Sequence, residues 1–281
     1  MNASLMTMLR CPAGCAAEIR LDATTRAGEE ITEGSLTCEG CGRGYVIAEG
    51  IARMLPRDLA EATGAKSDDP ALQYKLNDMQ ARDEQVADYD RMWYLNWFGV
   101  VEIPMTIRQL DPGPEHTVLE AGCGTGRMTY EFARHCGRLI AVDFSIESLR
   151  HNAAKMKAAG ITNIDYVQAD ICSLPFRTDV FDRVVSGGVL GDLPSAETRD
   201  GAVQDLARVL TPGGRLVISA YKYSLLERIW GRKEGEHAGG IYFFRFTEDE
   251  YRAQLGKFLK VEAICGALVY YFVATCRKEA V

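Results

Sequence analysis

Two groups of residues in this sequence have the types and spacing to do chemistry. The first is VLEAGCGTGRM, residues 118–128, where Gly122, Gly124 and Gly126 alternate behind an apolar run and Glu120 stands in front. Without Cβ atoms, such a loop lets a ligand approach backbone amides closely. The glycines run GxGxG, whereas a dinucleotide site runs GxGxxG, and a carboxylate beside the loop suits a ligand carrying an ammonium better than a pyrophosphate. Asp143 lies seventeen residues after Gly126, at the end of the next apolar run. An acid there can accept hydrogen bonds from both hydroxyls of a ribose. The second group is Cys11 and Cys15 in CPAGC with Cys38 and Cys41 in CEGC. Two thiol pairs, each on a tight loop, form the donor set of a closed tetrahedral metal site, with sulfur about 2.3 Å from the ion. The other five cysteines stand singly in apolar contexts and read as small core residues.

The elements that must position these residues are legible as alternating strands and helices. HTVLEAG reads as a strand feeding the glycine loop, and GRMTYEFARHC as the helix after it. RLIAVDFS is a second strand, and NIDYVQAD a third that ends at Asp170, followed by Ile171, where an adenine edge would lie. FDRVVSGGVL and GGRLVISAY supply a fourth and a fifth. Five alternations of strand and helix predict an α/β chain with a doubly wound sheet. Residues 1–56 form a small cysteine-bearing module, 57–80 a polar linker, and 81–281 the main domain, which opens on one or two aromatic-rich helices. The stretch 221–247 is longer than a simple connection requires, and long insertions of that kind carry function.

With 281 residues, 47% of them hydrophobic and 25% charged, the chain has room for one core domain plus a small module. No segment offers the roughly 18 to 20 apolar residues of a membrane span, and the N-terminus lacks a basic region followed by an apolar stretch, so a cytoplasmic protein without membrane partners is expected. The net charge of −7 removes the general attraction to phosphate backbones. The cysteine module follows suit, with five basic residues against seven acidic ones over 1–56.

Two resemblances sharpen this reading. LRCPAGCAAEI and GSLTCEGCGRGYVIAEGIARMLP, within residues 9–56, resemble the zinc-ribbon family that includes the small activator subunit of tRNA and protein methyltransferases; the first knuckle departs from it, with three residues between cysteines where two are commoner. Four thiolates leave zinc no open position, so this zinc would be structural. Residues 85–276 resemble the class I S-adenosylmethionine-dependent methyltransferases through LEAGCGTG, AVDFS, VQADICSLPF, FDRVVSGGVLGDLP and VLTPGGRLVIS, in order. The resemblance implies a seven-stranded Rossmann-like sheet whose final strand is antiparallel. It also implies that Glu120, Gly122, Gly124 and Gly126 hold the methionine end of S-adenosylmethionine, and Asp143 with the adjoining Phe144 the ribose. Asp170 and Ile171 would hold the adenine, and Gly188 to Leu190 would line the site below the sulfonium.

The chain departs from relatives that read GVLHHLP after the fourth strand, because Gly191 and Asp192 replace the histidines. Asp192 is a candidate base or amine-binding group, and its alternative is a helix cap or a solvated acid. Tyr89, in ADYDRMW, is a candidate catalytic hydroxyl whose alternative is core packing. Trp93, Trp230, His237 and Tyr242 are candidates for the acceptor pocket. The expected function is methyl transfer from S-adenosylmethionine to a small aromatic or apolar acceptor in a biosynthetic pathway. The alternative is an RNA methyltransferase that uses the ribbon for recognition, against which the ribbon's acidic balance argues.

Overall fold

The computed structural model describes residues 1–15, 17–62, 66–89, 93–225, 229, 231–237, 240–267 and 270–279, without the side chains of 87–89 and 93–98. The N-terminal module folds as a meander of β1 (Ile19–Ala27), β2 (Glu30–Cys38), β3 (Gly44–Ala48) and β4 (Ile51–Arg53). Three helices follow, α1 (Arg57–Ala62), α2 (Pro70–Tyr89) and α3 (Trp93–Leu110). The alternating part then runs β5 (Thr117–Ala121), α4 (Thr129–His135), β6 (Arg138–Asp143), α5 (Ile146–Ala158), β7 (Ile164–Gln168), β8 (Phe181–Gly187), α6 (Ala196–Val209) and β9 (Leu210–Tyr221). A hairpin of β10 (Glu234–Glu236) and β11 (Tyr242–Phe244) occupies the 221–247 insertion, ahead of α7 (Glu248–Gly256), β12 (Lys260–Ala267) and β13 (Tyr271–Arg277).

The sheet order is β1-β2-β3-β4-β7-β6-β5-β8-β9-β13-β12. Strands β7 to β12 in that order are the seven expected, and β13 is antiparallel to β9, as the resemblance implied. The expectation of a seven-stranded sheet is nevertheless corrected to eleven. Strand β4 pairs in parallel with β7, Ile51 opposite Tyr166 and Arg53 opposite Gln168, so the cysteine module continues the sheet. The physical reason is the edge: β7 would otherwise present an open row of backbone donors and acceptors. The apolar contacts are continuous as well, since Leu5, Leu9, Ile31, Leu36 and Ile47 join one buried cluster with Phe176, Phe181 and Leu206. The segment 57–80, expected as a linker, carries α1 and the first half of α2.

Local sequence accounts for the helix starts that matter most to the site. Ser145 accepts from the Ser148 amide at the start of α5. Capping boxes open α6 (Ser195 with Thr198) and α7 (Thr247 with Glu250). No helix among the described residues is long and apolar enough to cross a membrane.

Candidate active site

The C-terminal ends of β5 to β9, helix α2 and the β10–β11 hairpin enclose a cavity of about 910 Å³. That is the upper end of the range for small-molecule sites. Its floor begins at the glycine loop. Gly124 has φ 51° and open space where a Cβ would stand, so the loop presents bare backbone to the cavity. Gly122 also borders the cavity, and a Cβ on it would meet Val189 Cγ2 at 2.1 Å. Gly126 does not line the cavity; its place is set by the Asn152 side chain behind it.

Asp143, at the tip of β6, accepts from the Gly124 amide at 2.8 Å and the Ser145 amide at 2.9 Å, and it lines the cavity. Burial pushes its pKa up, opposed by those two amides. Phe144 beside it borders the cavity and packs toward Leu55, Leu59, Leu76 and Met79. Asp170 and Ile171 form the next wall, where Lys75 of α2 is 2.5 Å from Asp170 Oδ2 and the Cys172 amide donates to Oδ1. Gly188 also lines the cavity, and its amide donates to Ser219 Oγ at 3.1 Å. Ser219 in turn donates to the fully buried Glu102, which also accepts from Arg127 at 2.9 Å.

Two residues expected to contact the cofactor lie outside the cavity lining. Glu120 is buried beneath the loop, outside the cavity lining, and accepts from Thr129 Oγ1 at 2.7 Å. Asn152 donates to Thr129 Oγ1 and to the Gly124 carbonyl, and Tyr166 donates to Asn152, so a polar chain braces the loop from below. Burial, with Thr129 and Arg127 opposing, raises the Glu120 pKa to about 8. Leu190 is 1% exposed and packs into the main core, because the short 3-10 turn Leu190–Asp192 points it inward.

At the other end of the cavity, Asp192 is 2.6 Å from Arg82 Nη2, and Arg82 Nε is 3.4 Å from Asp78. Burial raises the Asp192 pKa to about 6 against the pull of Arg82. The rings of Tyr221, Tyr271 and Phe243 supply flat walls there, and His237 lines the cavity beside them. Tyr242, expected in this pocket, has its hydroxyl donating to Glu234 at 2.7 Å and is absent from the lining, where alternation along β11 places Phe243 instead. Tyr89 and Trp93 lie among the undescribed side chains, and Trp230 lies outside the described residues.

Sequence reasoning missed the contribution of α2. Tyr74, Lys75, Asp78, Arg82, Gln85 and Val86 recur at helical spacing along the cavity wall. Their signal was available as periodicity, but the face is polar, and an apolar stripe is what usually marks a buried helix face. The ion pair Glu102–Arg127 was missed because it joins α3 to the loop after β5, two segments separate in sequence.

The cysteines converge as expected. The sulfurs of Cys11, Cys15, Cys38 and Cys41 all lie within 4.8 Å of one another, with 3.8 Å between Cys11 and Cys41. Thiolates about 2.3 Å from a tetrahedral ion stand about 3.8 Å apart, so the cluster fits such an ion.

Comparison with known proteins bears on the same residues. Residues 118–214 match the model of a methyltransferase domain. The chain thus carries a methyltransferase domain over those residues. The ubiquinone/menaquinone biosynthesis C-methyltransferase UbiE of Pasteurella multocida is 32% identical over 145 residues, 50% of this chain and 53% of its own. The chain thus spans about half the length of the curated relatives it matches. Among solved structures, the N-methyltransferase NodS of Bradyrhizobium japonicum, in complex with S-adenosyl-L-homocysteine, superposes with a TM-score of 0.58 at 23% identity. It covers 73% of this chain and 100% of its own. The 1,6-didemethyltoxoflavin-N1-methyltransferase of Burkholderia thailandensis, with 1,6-didemethyltoxoflavin and S-adenosylhomocysteine bound, gives 0.59 at 20%, over 77% of this chain and 95% of its own. These two likenesses establish the methyltransferase fold.

Proposed function

We propose that the protein transfers the methyl group of S-adenosylmethionine to a small, flat acceptor bound between α2 and the β10–β11 hairpin. The observation that carries this is a single cavity joining a glycine-loop groove to an aromatic chamber. Asp143 and Phe144 would hold the ribose, Asp170 and Ile171 the adenine, and the backbone at Gly122, Gly124 and Gly188 the methionine end. Open space over Gly124 and Gly188, both at positive φ and both on the cavity, fits a ligand seated against backbone. When bound, the cofactor supplies an electrophilic methyl group whose bond to sulfur breaks as the acceptor's bond forms.

The chain's own residues orient and enclose. Tyr74 accepts from the Tyr242 amide and donates to the Asp192 carbonyl, tying the hairpin and α2 over the acceptor end. Alignment of nucleophile and methyl group inside a closed chamber is the main requirement of such a transfer. Asp192, on the cavity wall, would bind the acceptor or take its proton. The relatives named as UbiE and toxoflavin methyltransferases support a small-molecule acceptor and a biosynthetic role. The acidic ribbon supports it over RNA. The four cysteines would hold one structural zinc ion, and we place the protein in the cytoplasm. Incubation with methyl-labelled S-adenosylmethionine and a panel of flat aromatic metabolites should label at least one of them in the wild type and far less with Asp192→Asn. Label appearing only in added RNA would replace this reading with the other.

A further inference from the structure

A fully buried carboxylate on α3 joins the two glycine turns that border the cavity at the ends of β5 and β8. Helix α3 packs against β9 and β13, where Ile103, Met105 and Ile107 lie against the core, and Glu102 among them has no exposed surface. A carboxylate in such a place is costly unless its oxygens find partners. Both do. Oε1 accepts from Ser219 Oγ at 2.8 Å, and Oε2 accepts from Arg127 Nη2 at 2.9 Å.

Each partner leads to one of the turns. Ser219 Oγ accepts from the amide of Gly188, which lines the cavity. Arg127 follows Gly126 directly and also borders the cavity, whereas Glu102 stands behind it. The turns themselves touch, since a Cβ on Gly122 would stand 2.1 Å from Val189 Cγ2. On the helix side, a Cβ on Gly99 would stand 3.3 Å from Arg127 Nη1, so a glycine there lets α3 lie close against the guanidinium. One carboxylate from a third element thus sets the spacing of two turns that are more than sixty residues apart in sequence.

We propose that Glu102 is a positioning residue for the amino-acid end of the cofactor. That end carries a carboxylate and an ammonium, and backbone groups at Gly122, Gly124 and Gly188 can meet it only while the two turns keep their places. Glu102 fixes the Arg127 guanidinium at the edge of the cavity and, through Ser219, the amide of Gly188. The adenosine end, at Asp143, Phe144, Asp170 and Ile171, does not depend on this link. The proposal rests on the methyltransferase reading above and deepens it.

The test uses the full chain and two probes, S-adenosylhomocysteine and 5′-methylthioadenosine, which keeps the adenosine and the sulfur but lacks the amino-acid end. Calorimetric titration is expected to show both binding to the wild type. Glu102→Gln should weaken S-adenosylhomocysteine about tenfold or more, while 5′-methylthioadenosine stays within about twofold. Ser219→Ala leaves the Glu102–Arg127 pair in place and should weaken S-adenosylhomocysteine by roughly three- to tenfold with the same selectivity. It decides the outcome if Glu102→Gln does not fold. An equal loss for both probes, or no loss for either in a folded variant, overturns the proposal and leaves Glu102 a structural ion pair. A wild type that binds S-adenosylhomocysteine but not 5′-methylthioadenosine also overturns it, because the two ends would not be independent. Failure of both probes to bind the wild type overturns the underlying methyltransferase reading, which is a distinguishable result.

Discussion

Glu120 stands at the motif's expected place, and its side chain is buried beneath the glycine loop. Its carboxyl faces Thr129 beneath the glycine loop, and burial raises its pKa from the ordinary carboxylate value of 4.5 to about 8. The sign of the linkage follows. A carboxyl whose folded pKa is raised contributes stability that is fully present below pH 4.5 and is lost as pH rises through about 8. Glu120→Gln removes that loss, so chemical denaturation at pH 6 and pH 9 should show the wild type weakening with pH more than the variant does. Cofactor affinity should hardly change, and a tenfold loss of S-adenosylhomocysteine binding in Glu120→Gln would restore the ammonium-contact role. The residue type and spacing were legible in the sequence. The direction of the side chain was not, because it depends on Thr129, Asn152 and Tyr166 arriving from three other elements.

The elements divide in the same way. The strands β5 to β9 and the loop glycines were readable from apolar runs and punctuating glycines, because parallel central strands are buried on both faces. Helix α2 was not, since its cavity-facing side carries Lys75, Asp78 and Arg82, which a scan for apolar stripes treats as solvent-exposed. The hairpin in the 221–247 insertion was expected to be functional, and Phe243 lines the cavity from it where Tyr242 was anticipated. What joins these two elements is the Tyr74 hydroxyl, which accepts from the Tyr242 amide at 3.2 Å. One such bond contributes about 0.5–1.5 kcal/mol. Tyr74→Phe should therefore speed hydrogen exchange at the Tyr242 amide by roughly two- to tenfold, leaving the strands β5 and β6 unchanged. Unchanged exchange at that amide would mean the hairpin is held by its aromatic contacts alone.

Over the whole molecule, the cysteine module and the methyltransferase sheet share one hydrogen-bonded surface and one core. The sequence showed two cysteine pairs and a methyltransferase motif set but gave no sign of their join, because the pairing of β4 with β7 is a contact between segments over a hundred residues apart. The join reaches the site. Strand β4 ends beside Gln168, the Met54 amide donates to the Gln168 carbonyl, and Asp170 follows two residues later. The Ser173 hydroxyl also donates to the Pro12 carbonyl, next to Cys11. Metal analysis should find one zinc ion per chain. Cys38→Ser should lose it and lower the thermal midpoint of the full chain. A folded chain of unchanged stability without metal would contradict the structural role.

In the proposed function, the cavity at the ends of β5 to β9 binds S-adenosylmethionine through Asp143. Calorimetric titration with S-adenosylhomocysteine, of the wild type and of Asp143→Ala side by side, tests it most directly. Hydrogen bonds to a charged group contribute about 1.5–3 kcal/mol, so the account predicts one site per chain in the wild type and an affinity lower by roughly tenfold or more in the variant. No binding heat in the wild type, or equal affinity in a folded variant, would contradict it.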